Sequence, residues 1–244
     1  MRETVLVLMV KRPFPGQGKQ RLARVLGTGA AEEIAKALLA CALEDCRSWP
    51  GPVTLSPSCP DDVAWAVRLL PEALVIPHSE GRLGERLNAL DRTLRERGAD
   101  RIVFMGSDAP GLSEPDFARV RRSLGERDVV ISPAKDGGVV LLGSRCPWPD
   151  LRPLPWSTPA LCQALVRLCR AAGRTVDTLA TGFDVDHPED LETALAALEG
   201  DPRPARLAFR SLAGRFLEPS KAGLWRMLEQ SALGGGSGPG GKRT

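Results

Sequence analysis

Residues 4–10, TVLVLMV, form a mostly apolar run that leads directly into residues 11–22, KRPFPGQGKQRL. A short run this rich in valine and leucine is typical of a strand buried on both faces, as strands of parallel sheets are. The segment after it contains four cations, two glycines and two prolines, which is typical of a loop. Ligands of open α/β sheets bind at the carboxyl ends of the strands. We therefore expect a mainly parallel sheet with a ligand-binding loop after its first strand.

The following residues alternate apolar strands with amphipathic helices. Helical spacing of hydrophobic residues predicts helices over residues 29–47, 83–97, 114–123, 157–171 and 188–198, and one that begins at Asp61 or Asp62. Short apolar runs predict strands over residues 53–55, 74–76, 101–105, 129–131, 139–142 and 175–179. Repeated strand–helix units predict the α/β class, with helices on both faces of the sheet.

Proline and glycine mark the expected domain boundaries. The segment DPRP at residues 201–204 ends the alternating pattern, so residues 1–200 are expected to form one domain. Residues 201–232 mix apolar and basic side chains, which predicts an amphipathic helical extension. We expect it to pack on the domain, with a second subunit or a membrane surface as alternatives. The glycine-rich residues 233–244 are expected to be disordered.

The composition excludes several classes of protein. The 244 residues include 33 Lys and Arg and 30 Asp and Glu, for a formal net charge of +3. The basic excess lies in residues 201–244, so the nearly neutral remainder argues against a nucleic-acid partner. Six cysteines without a C-x-x-C pair and only two histidines argue against a disulfide framework and a zinc site. Because no apolar run approaches the ~20 residues of a membrane span, we expect a cytoplasmic protein without stable membrane insertion.

The basic segment after the first strand is a candidate phosphate-binding loop. Its glycines let backbone N–H groups approach phosphate oxygens, and its lysines and arginines neutralise the charge. The Gly-Lys-Ser/Thr ending of a Walker loop is missing, so the segment is of another type. The alternative is a solvated basic turn, but the position at the carboxyl end of a strand favours phosphate binding.

Three acidic residues are candidate ligands of a divalent cation. Asp108 follows the predicted strand 101–105, where a carboxylate can hold a metal beside a diphosphate. Asp184 and Asp186 alternate in an extended segment, which directs both side chains to one face. Together with Asp108 they would complete a metal site, with Asp184 the better candidate of the pair. The alternatives are that Asp108 caps a turn and that Asp186 is only the N-cap of the next helix.

A fourth motif, SPAKDGG at residues 132–138, combines an acid with two glycines. The glycines permit a ligand to approach the backbone closely. Asp136 would bind a sugar hydroxyl or act as a general base. The alternative is a plain hairpin turn, because Asp-Gly is a strong turn signal.

Six motifs in order carry a family resemblance that covers about residues 4–195. They are K-x-P-x-P-G-x-x-K-x-R-L, L-G-E-R, G-S-D-x-P-x-L, S-P-A-x-D-G-G, P-W-S-T and D-V-D-x-P-E-D-L. Together they resemble the bacterial GT-A-type transferases known as glycosyltransferases of arsenosugar biosynthesis, or radical-SAM/selenodomain-associated transferases. That family is similar in turn to the guanylyltransferase of coenzyme F420 synthesis and to molybdenum-cofactor nucleotidyltransferases. The resemblance implies a three-layer α/β/α nucleotide-diphospho-sugar transferase fold, Rossmann-like, with a mainly parallel sheet.

The resemblance also implies roles for individual residues. The nucleotide and its phosphates would be bound by Lys11, Pro15, Gly16, Lys19, Arg21 and Gly84. The acceptor would be bound by Asp136, Gly137, Gly138, Trp156, Ser157 and Thr158. Mg²⁺ or Mn²⁺ would be held by Asp108, Asp184 and Asp186, and the catalytic residues would be Asp108, Asp136 and Lys19.

Three residues depart from the family pattern. Gln20 and His187 each stand where Thr is usual, and Val139 stands where a Tyr normally follows the Gly-Gly pair. The missing tyrosine removes an aromatic platform beside the expected acceptor. We therefore expect an acceptor that differs from those of the relatives.

The leading functional prediction is a metal-dependent glycosyltransferase that uses a nucleotide-sugar donor on a small-molecule acceptor. The alternative is a nucleotidyltransferase that joins a nucleoside triphosphate to a phosphorylated small molecule and releases pyrophosphate. A single Asp in place of Asp-x-Asp and the cationic first loop favour this alternative. A third hypothesis is a non-catalytic nucleotide-binding protein. No motif requires residues 201–244, so their expected role is in stability or in a homodimer.

Overall fold

The computed structural model describes residues 3–217, which form a seven-stranded sheet with helices on both faces. The strands are β1 (Thr4–Val10), β2 (Val53–Pro57), β3 (Leu74–Val75), β4 (Arg101–Met105), β5 (Val129–Pro133), β6 (Val139–Ser144) and β7 (Val176–Thr178). The α-helices are α1 (Gln20–Leu26), α2 (Thr28–Ser48), α3 (Val63–Leu69), α4 (Leu83–Glu96), α5 (Glu114–Glu126), α6 (Leu161–Ala171), α7 (Glu189–Ala197) and α8 (Pro204–Leu217). A short 3-10 helix, Pro60–Asp62, precedes α3.

The strand order β3-β2-β1-β4-β6-β5-β7 places the carboxyl ends of six strands at one edge of the sheet. β1 pairs in parallel with β2 and β4, so that Leu8 lies opposite Leu55 on one side and Met105 on the other. β6 runs antiparallel to β4 and β5, whereas β7 is parallel to β5. We call the edge where all strands except β6 end the carboxyl edge. This mainly parallel arrangement confirms the predicted fold class.

The side chains of β1 alternate between two hydrophobic cores on opposite faces of the sheet. Leu6, Leu8 and Val10 pack in the core that includes residues of α2, α3 and α5. Val5 and Val7 pack in the core that includes residues of α4 and α6. Burial on both faces explains why this strand is a nearly continuous apolar run.

A third core joins α1, α2, α7 and α8. Phe209 and Ala213 of α8 are fully buried there, in the same cluster as Ile34 and Leu38 of α2. The described part of the expected extension therefore packs on the domain. Residues 218–232 of that extension and the glycine-rich residues 233–244 lie outside the described residues.

Two helices differ from the sequence predictions. α1 occupies residues assigned above to the basic loop, and it begins after Lys19, whose backbone is left-handed with φ 41°. α6 begins at Leu161 instead of residue 157, because Ser157 also has a positive φ of 62° and cannot belong to a right-handed helix. None of the helices in residues 3–217 is both long enough and apolar enough to cross a membrane.

Candidate active site

Three carboxylates meet at the carboxyl edge. One oxygen from each of Asp108, Asp184 and Asp186 lies within 4.8 Å of the other two, and we call these three residues the acidic triad. Asp108 follows β4, and the other two acids follow β7. The backbone N–H of buried Val185 donates to the carbonyl of Asp108 at 2.9 Å, so the two loops are joined at the triad itself. The structure therefore brings together the three acids predicted from the sequence.

Glycine allows the two loops to approach each other closely. A Cβ on Gly106 would lie 2.6 Å from Oδ1 of Asp108, so a larger residue there would displace this carboxylate. A Cβ on Gly111 would lie 2.6 Å from the ring of Phe183, which directly precedes Asp184. The glycines of the GSDAPGL segment thus leave room for the observed positions of Asp108 and Phe183.

Lys19 of the basic loop lies against the triad. Its Nζ donates to Asp186 at 2.6 Å and to Asp108 at 3.1 Å, and its side chain is mostly buried. Burial alone would lower the pKa of Lys19, but the charges of the two aspartates outweigh it and the pKa is raised. Arg21 approaches from α1, with Nη1 3.1 Å from Nε2 of His187 and 4.0 Å from Asp186. Two of the predicted phosphate-binding cations are therefore beside the predicted metal ligands.

The contacts of Asp186 exclude the hypothesis that it serves only as an N-cap. Its carboxylate accepts from Lys19, while the backbone N–H groups of Asp186 and His187 donate to the carboxylate of Asp190 at 2.9 and 2.6 Å. Asp190 therefore organises the turn before α7, and the Asp186 carboxylate is left to face the site.

Asp184 carries the uncompensated charge of the triad. Burial and the charges of Asp108, Asp136 and Asp186 raise the pKa of Asp184 to about 6. Within residues 3–217 no cationic side chain forms an ion pair with it, in contrast to its two neighbours. A group of oxygen ligands with surplus negative charge is what a hard divalent cation requires, so the triad fits Mg²⁺ or Mn²⁺.

The predicted acceptor loops form a second wall near the triad. Asp136 accepts from the N–H of Gly138 at 2.8 Å, so the hairpin turn given above as the alternative is present. The charge of Asp136 also contributes to the raised pKa of Asp184, so the turn lies near the triad as well. Gly137 has φ 86°, and a Cβ there would lie 2.1 Å from the carbonyl oxygen of Pro159. The turn is therefore packed directly on the segment that contains Ser157 and Thr158.

Other predicted site residues have mainly structural contacts. Trp156 Nε1 donates to the carbonyl of Leu151 at 3.0 Å, and a Cβ on Gly84 would lie 2.8 Å from that same nitrogen. Gly84 thus permits the packing of Trp156 on α4. Among the described residues, Lys11, Pro15 and Gly16 are exposed and none of their described contacts reaches the triad.

Sequence reasoning missed a group of polar side chains further along the carboxyl edge. Ser56 lies near the end of β2, His78 follows β3, and Arg86 lies in the first turn and a half of α4. Buried polar atoms of all three have no hydrogen-bond partner among the described residues: Ser56 Oγ, both ring nitrogens of His78, and Arg86 Nε. Burial and the charge of Arg86 lower the pKa of His78 to about 4, so its imidazole is neutral at pH 7. Buried polar groups normally have partners, so these atoms are candidates for ligand contacts.

Sequence reasoning also missed a buried group of charges behind the site. It consists of Glu44 and Asp45 on α2, Arg203 just before α8 and Arg206 in its first turn, and we call it the buried cluster. Arg206 is fully buried and donates to Asp45 at 2.6 Å and to Glu44 at 3.0 Å. Arg203 donates to Asp45 at 2.9 Å. These residues lie outside every motif, so no sequence signal marked them.

This mainly parallel sheet, with acids and cations at its carboxyl edge, has the fold of nucleotide-diphospho-sugar transferases and nucleotidyltransferases. A candidate nucleotide-diphospho-sugar transferase from Desulfovibrio desulfuricans G20 is 26% identical, with a TM-score of 0.76 over 96% of this chain and 97% of that one. The 4-diphosphocytidyl-2C-methyl-D-erythritol synthase of Anaerococcus prevotii DSM 20548 is similar in fold alone, with 14% identity and a TM-score of 0.50 over 81% and 96% of the two chains.

Residues 21–158 match the sequence profile of DUF2064, described as an uncharacterized protein conserved in bacteria. The chain belongs to this family. A comparison with curated proteins gave no match. The matched residues include Arg21, Asp108 and Asp136, whereas Asp184 and Asp186 come after them.

Proposed function

We propose that this protein is a metal-dependent glycosyltransferase that takes a sugar from a nucleotide-sugar donor to a small-molecule acceptor. The observation that carries the proposal is the acidic triad with Lys19 and Arg21 beside it. Carboxylates for a divalent cation and cations for phosphates are the two requirements of a diphosphate site. The similarity to a candidate nucleotide-diphospho-sugar transferase supports the same class.

The residues of the edge divide into three tasks. Asp108, Asp184 and Asp186 would hold Mg²⁺ or Mn²⁺, which when bound supplies positive charge to the departing nucleotide diphosphate. Lys19 and Arg21 bind its phosphate oxygens by charged hydrogen bonds. We assign the third task, hydrogen bonds to the remainder of the donor, to Ser56, His78 and Arg86, whose polar atoms are buried without a side-chain partner among the described residues and would have to be uncovered by the donor.

On the acceptor side, Asp136 receives the proton of the attacking hydroxyl or orients that hydroxyl. Its turn packs on residues 156–159, which therefore form the opposite wall for the acceptor. Val139 replaces the tyrosine expected there, so we propose an acceptor that does not need an aromatic platform. The narrower resemblance to the arsenosugar transferases stays a prediction about that acceptor. The six free cysteines suit a reducing compartment, and we propose the cytoplasm.

A second candidate function is nucleotidyl transfer from a nucleoside triphosphate. The observation that favours it is the direct contact of Lys19 with the acids, since a lysine there can hold the leaving pyrophosphate. The first function predicts release of a nucleoside diphosphate from nucleotide sugars. The second predicts release of pyrophosphate from triphosphates in the presence of a phosphorylated acceptor.

The experiment is a product assay on the full chain with Mg²⁺ or Mn²⁺. Nucleotide sugars and nucleoside triphosphates that raise the melting temperature are chosen first, because bound ligands stabilise the folded state. The matched control is Asp108→Asn. Nucleoside diphosphate release that the control lacks supports the proposal, and pyrophosphate release supports the second function. Binding of either ligand without turnover would contradict both.

A further inference from the structure

Two arginines, one just before α8 and one in its first turn, donate hydrogen bonds to the backbone of the loop that carries Asp108. Arg206 Nε donates to the carbonyl of Pro110 at 3.2 Å, and its Nη2 donates to the carbonyl of Leu112 at 3.3 Å. Arg203 Nη2 donates to the same Leu112 carbonyl at 2.9 Å. The two carbonyls lie two and four residues after Asp108, in the loop between β4 and α5.

The other side of Arg206 is fixed to α2. Its guanidinium also donates to the carbonyl of Cys41 and to the carboxylates of Glu44 and Asp45. The side chain is 0% exposed, so each of these bonds forms away from water. A planar fork with five donors can bond several acceptors at once, which the single ammonium of lysine cannot reproduce.

We propose that Arg206 is a positioning residue for the metal site: it fixes the Pro110–Leu112 backbone and so sets the place of the Asp108 carboxylate relative to Asp184 and Asp186. The inference rests on the proposed function, because it concerns the ion that the triad would hold. Its link to the triad is the hydrogen bond from Val185 N–H to the Asp108 carbonyl, which holds only while the loop stays docked. The site thus depends on a helix that begins 46 residues after the matched family segment ends.

The test uses Arg206→Lys in the full chain, with Glu44→Gln as the matched control. Both variants weaken the same ion pair, but only the first removes donors from the loop carbonyls. Mn²⁺ affinity is measured by electron paramagnetic resonance at a temperature where circular dichroism shows each variant folded. Residues that orient metal ligands typically contribute about 10- to 100-fold in affinity, so we expect about tenfold weaker Mn²⁺ binding in Arg206→Lys. Glu44→Gln is expected to keep the wild-type affinity.

A second measurement separates this inference from the proposed function. Hydrogen exchange of the Val185 amide without metal reports directly on docking of the Asp108 loop, and it is expected to speed up in Arg206→Lys only. If the wild type binds no Mn²⁺, the metal site is wrong, and the exchange result alone decides the role of Arg206. If Arg206→Lys does not fold, Arg203→Lys takes its place, since that partly exposed residue shares the Leu112 carbonyl. A folded variant with wild-type Mn²⁺ affinity and wild-type Val185 protection would overturn the proposal.

Discussion

The buried cluster and the acidic triad differ in whether neighbouring side chains neutralise their charges. In the cluster, Arg206 and Asp45 are 0% and 2% exposed, and each has oppositely charged partners within 3 Å. In the triad, Asp108 and Asp186 are 38% and 39% exposed, and Asp184 has no cationic partner among the described residues. The protein therefore balances one set of charges itself and leaves a surplus in the other. Burial raises the pKa of Asp45 in the cluster to about 6, as it does that of Asp184, so a shifted pKa does not separate the two groups. The unneutralised negative charge at the carboxyl edge is what makes the triad the candidate ligand site.

The largest expected effect comes from breaking the balanced side. Arg206→Met would leave Asp45 and Glu44 buried without their main cation, so we expect a loss of about 3–5 kcal/mol in the free energy of unfolding. Urea denaturation measures it. Leu207→Met on the same helix is the control, because Leu207 is exposed and should change stability by less than about 0.5 kcal/mol. A loss of stability in Arg206→Met no larger than that in Leu207→Met would show that the buried cluster does not stabilise the fold.

The next largest effect is expected from Lys19, the cation that lies against the acidic triad. Lys19→Ala is expected to weaken nucleotide binding by about 1.5–3 kcal/mol, the contribution of a charged hydrogen bond. Calorimetry with the nucleotide identified by thermal shift gives the affinity. Lys36→Ala serves as the comparison, since Lys36 is an exposed lysine that pairs with Glu32 on α2. Equal nucleotide affinity in Lys19→Ala and wild type would refute the phosphate-binding role.

A smaller effect has the opposite sign from the first. The raised pKa of Asp184 means that its ionised form, which prevails at pH 7, costs more free energy in the folded than in the unfolded state, so Asp184→Asn should remove a cost. Discounted for partial exposure, the gain is about 1 kcal/mol in the presence of a chelator. Asp186→Asn should instead lose stability, because Asp186 pairs with Lys19. Equal losses of unfolding free energy in Asp184→Asn and Asp186→Asn, measured by urea denaturation, would contradict the difference in charge balance between these two residues.

The smallest expected effect concerns Asp128, a carboxylate that neighbouring side chains and backbone already supply with hydrogen bonds. The N–H and hydroxyl of Thr175, with a further contribution from Arg145, lower the pKa of Asp128 to about 2. A lowered pKa gives stability that is full above the ordinary value of 3.8 and is lost as the pH falls through about 2. Asp128→Asn should therefore cost less than about 1 kcal/mol at pH 7, and the difference from wild type should vanish between pH 4 and 2. Thermal melts across that range decide it, with exposed Glu72→Gln as control.

The acids of the triad could be predicted because their signal is local. Asp108 directly follows an apolar strand, and Asp184 and Asp186 alternate in an extended segment, so topology alone sends them to one edge. The pairing of Lys19 with Asp108 could not be predicted, because it depends on a left-handed backbone at Lys19 and joins residues 89 positions apart in the chain.

The roles of the buried cluster and of the unpartnered polar atoms could not be predicted from the sequence for a different reason. Arg206 lies among basic residues after the DPRP segment, and the basic side chains of an amphipathic helix are ordinarily on its solvated face. Only the packing of α8 on α2 shows that it is buried. Ser56 and His78 come from separate elements outside every motif, and Arg86 belongs to the L-G-E-R motif but received no role there. The importance of all three follows from what surrounds them.

Mn²⁺ binding to the full chain, measured by calorimetry, tests the central claim most directly. The acidic triad predicts one Mn²⁺ per wild-type chain and loss of that binding in Asp108→Asn, with circular dichroism showing that the variant keeps its fold. Glu72→Gln, which removes an exposed carboxylate elsewhere, should bind as the wild type does. Equal Mn²⁺ binding by wild type and Asp108→Asn, or none by the wild type, would contradict the account of the triad as a metal site.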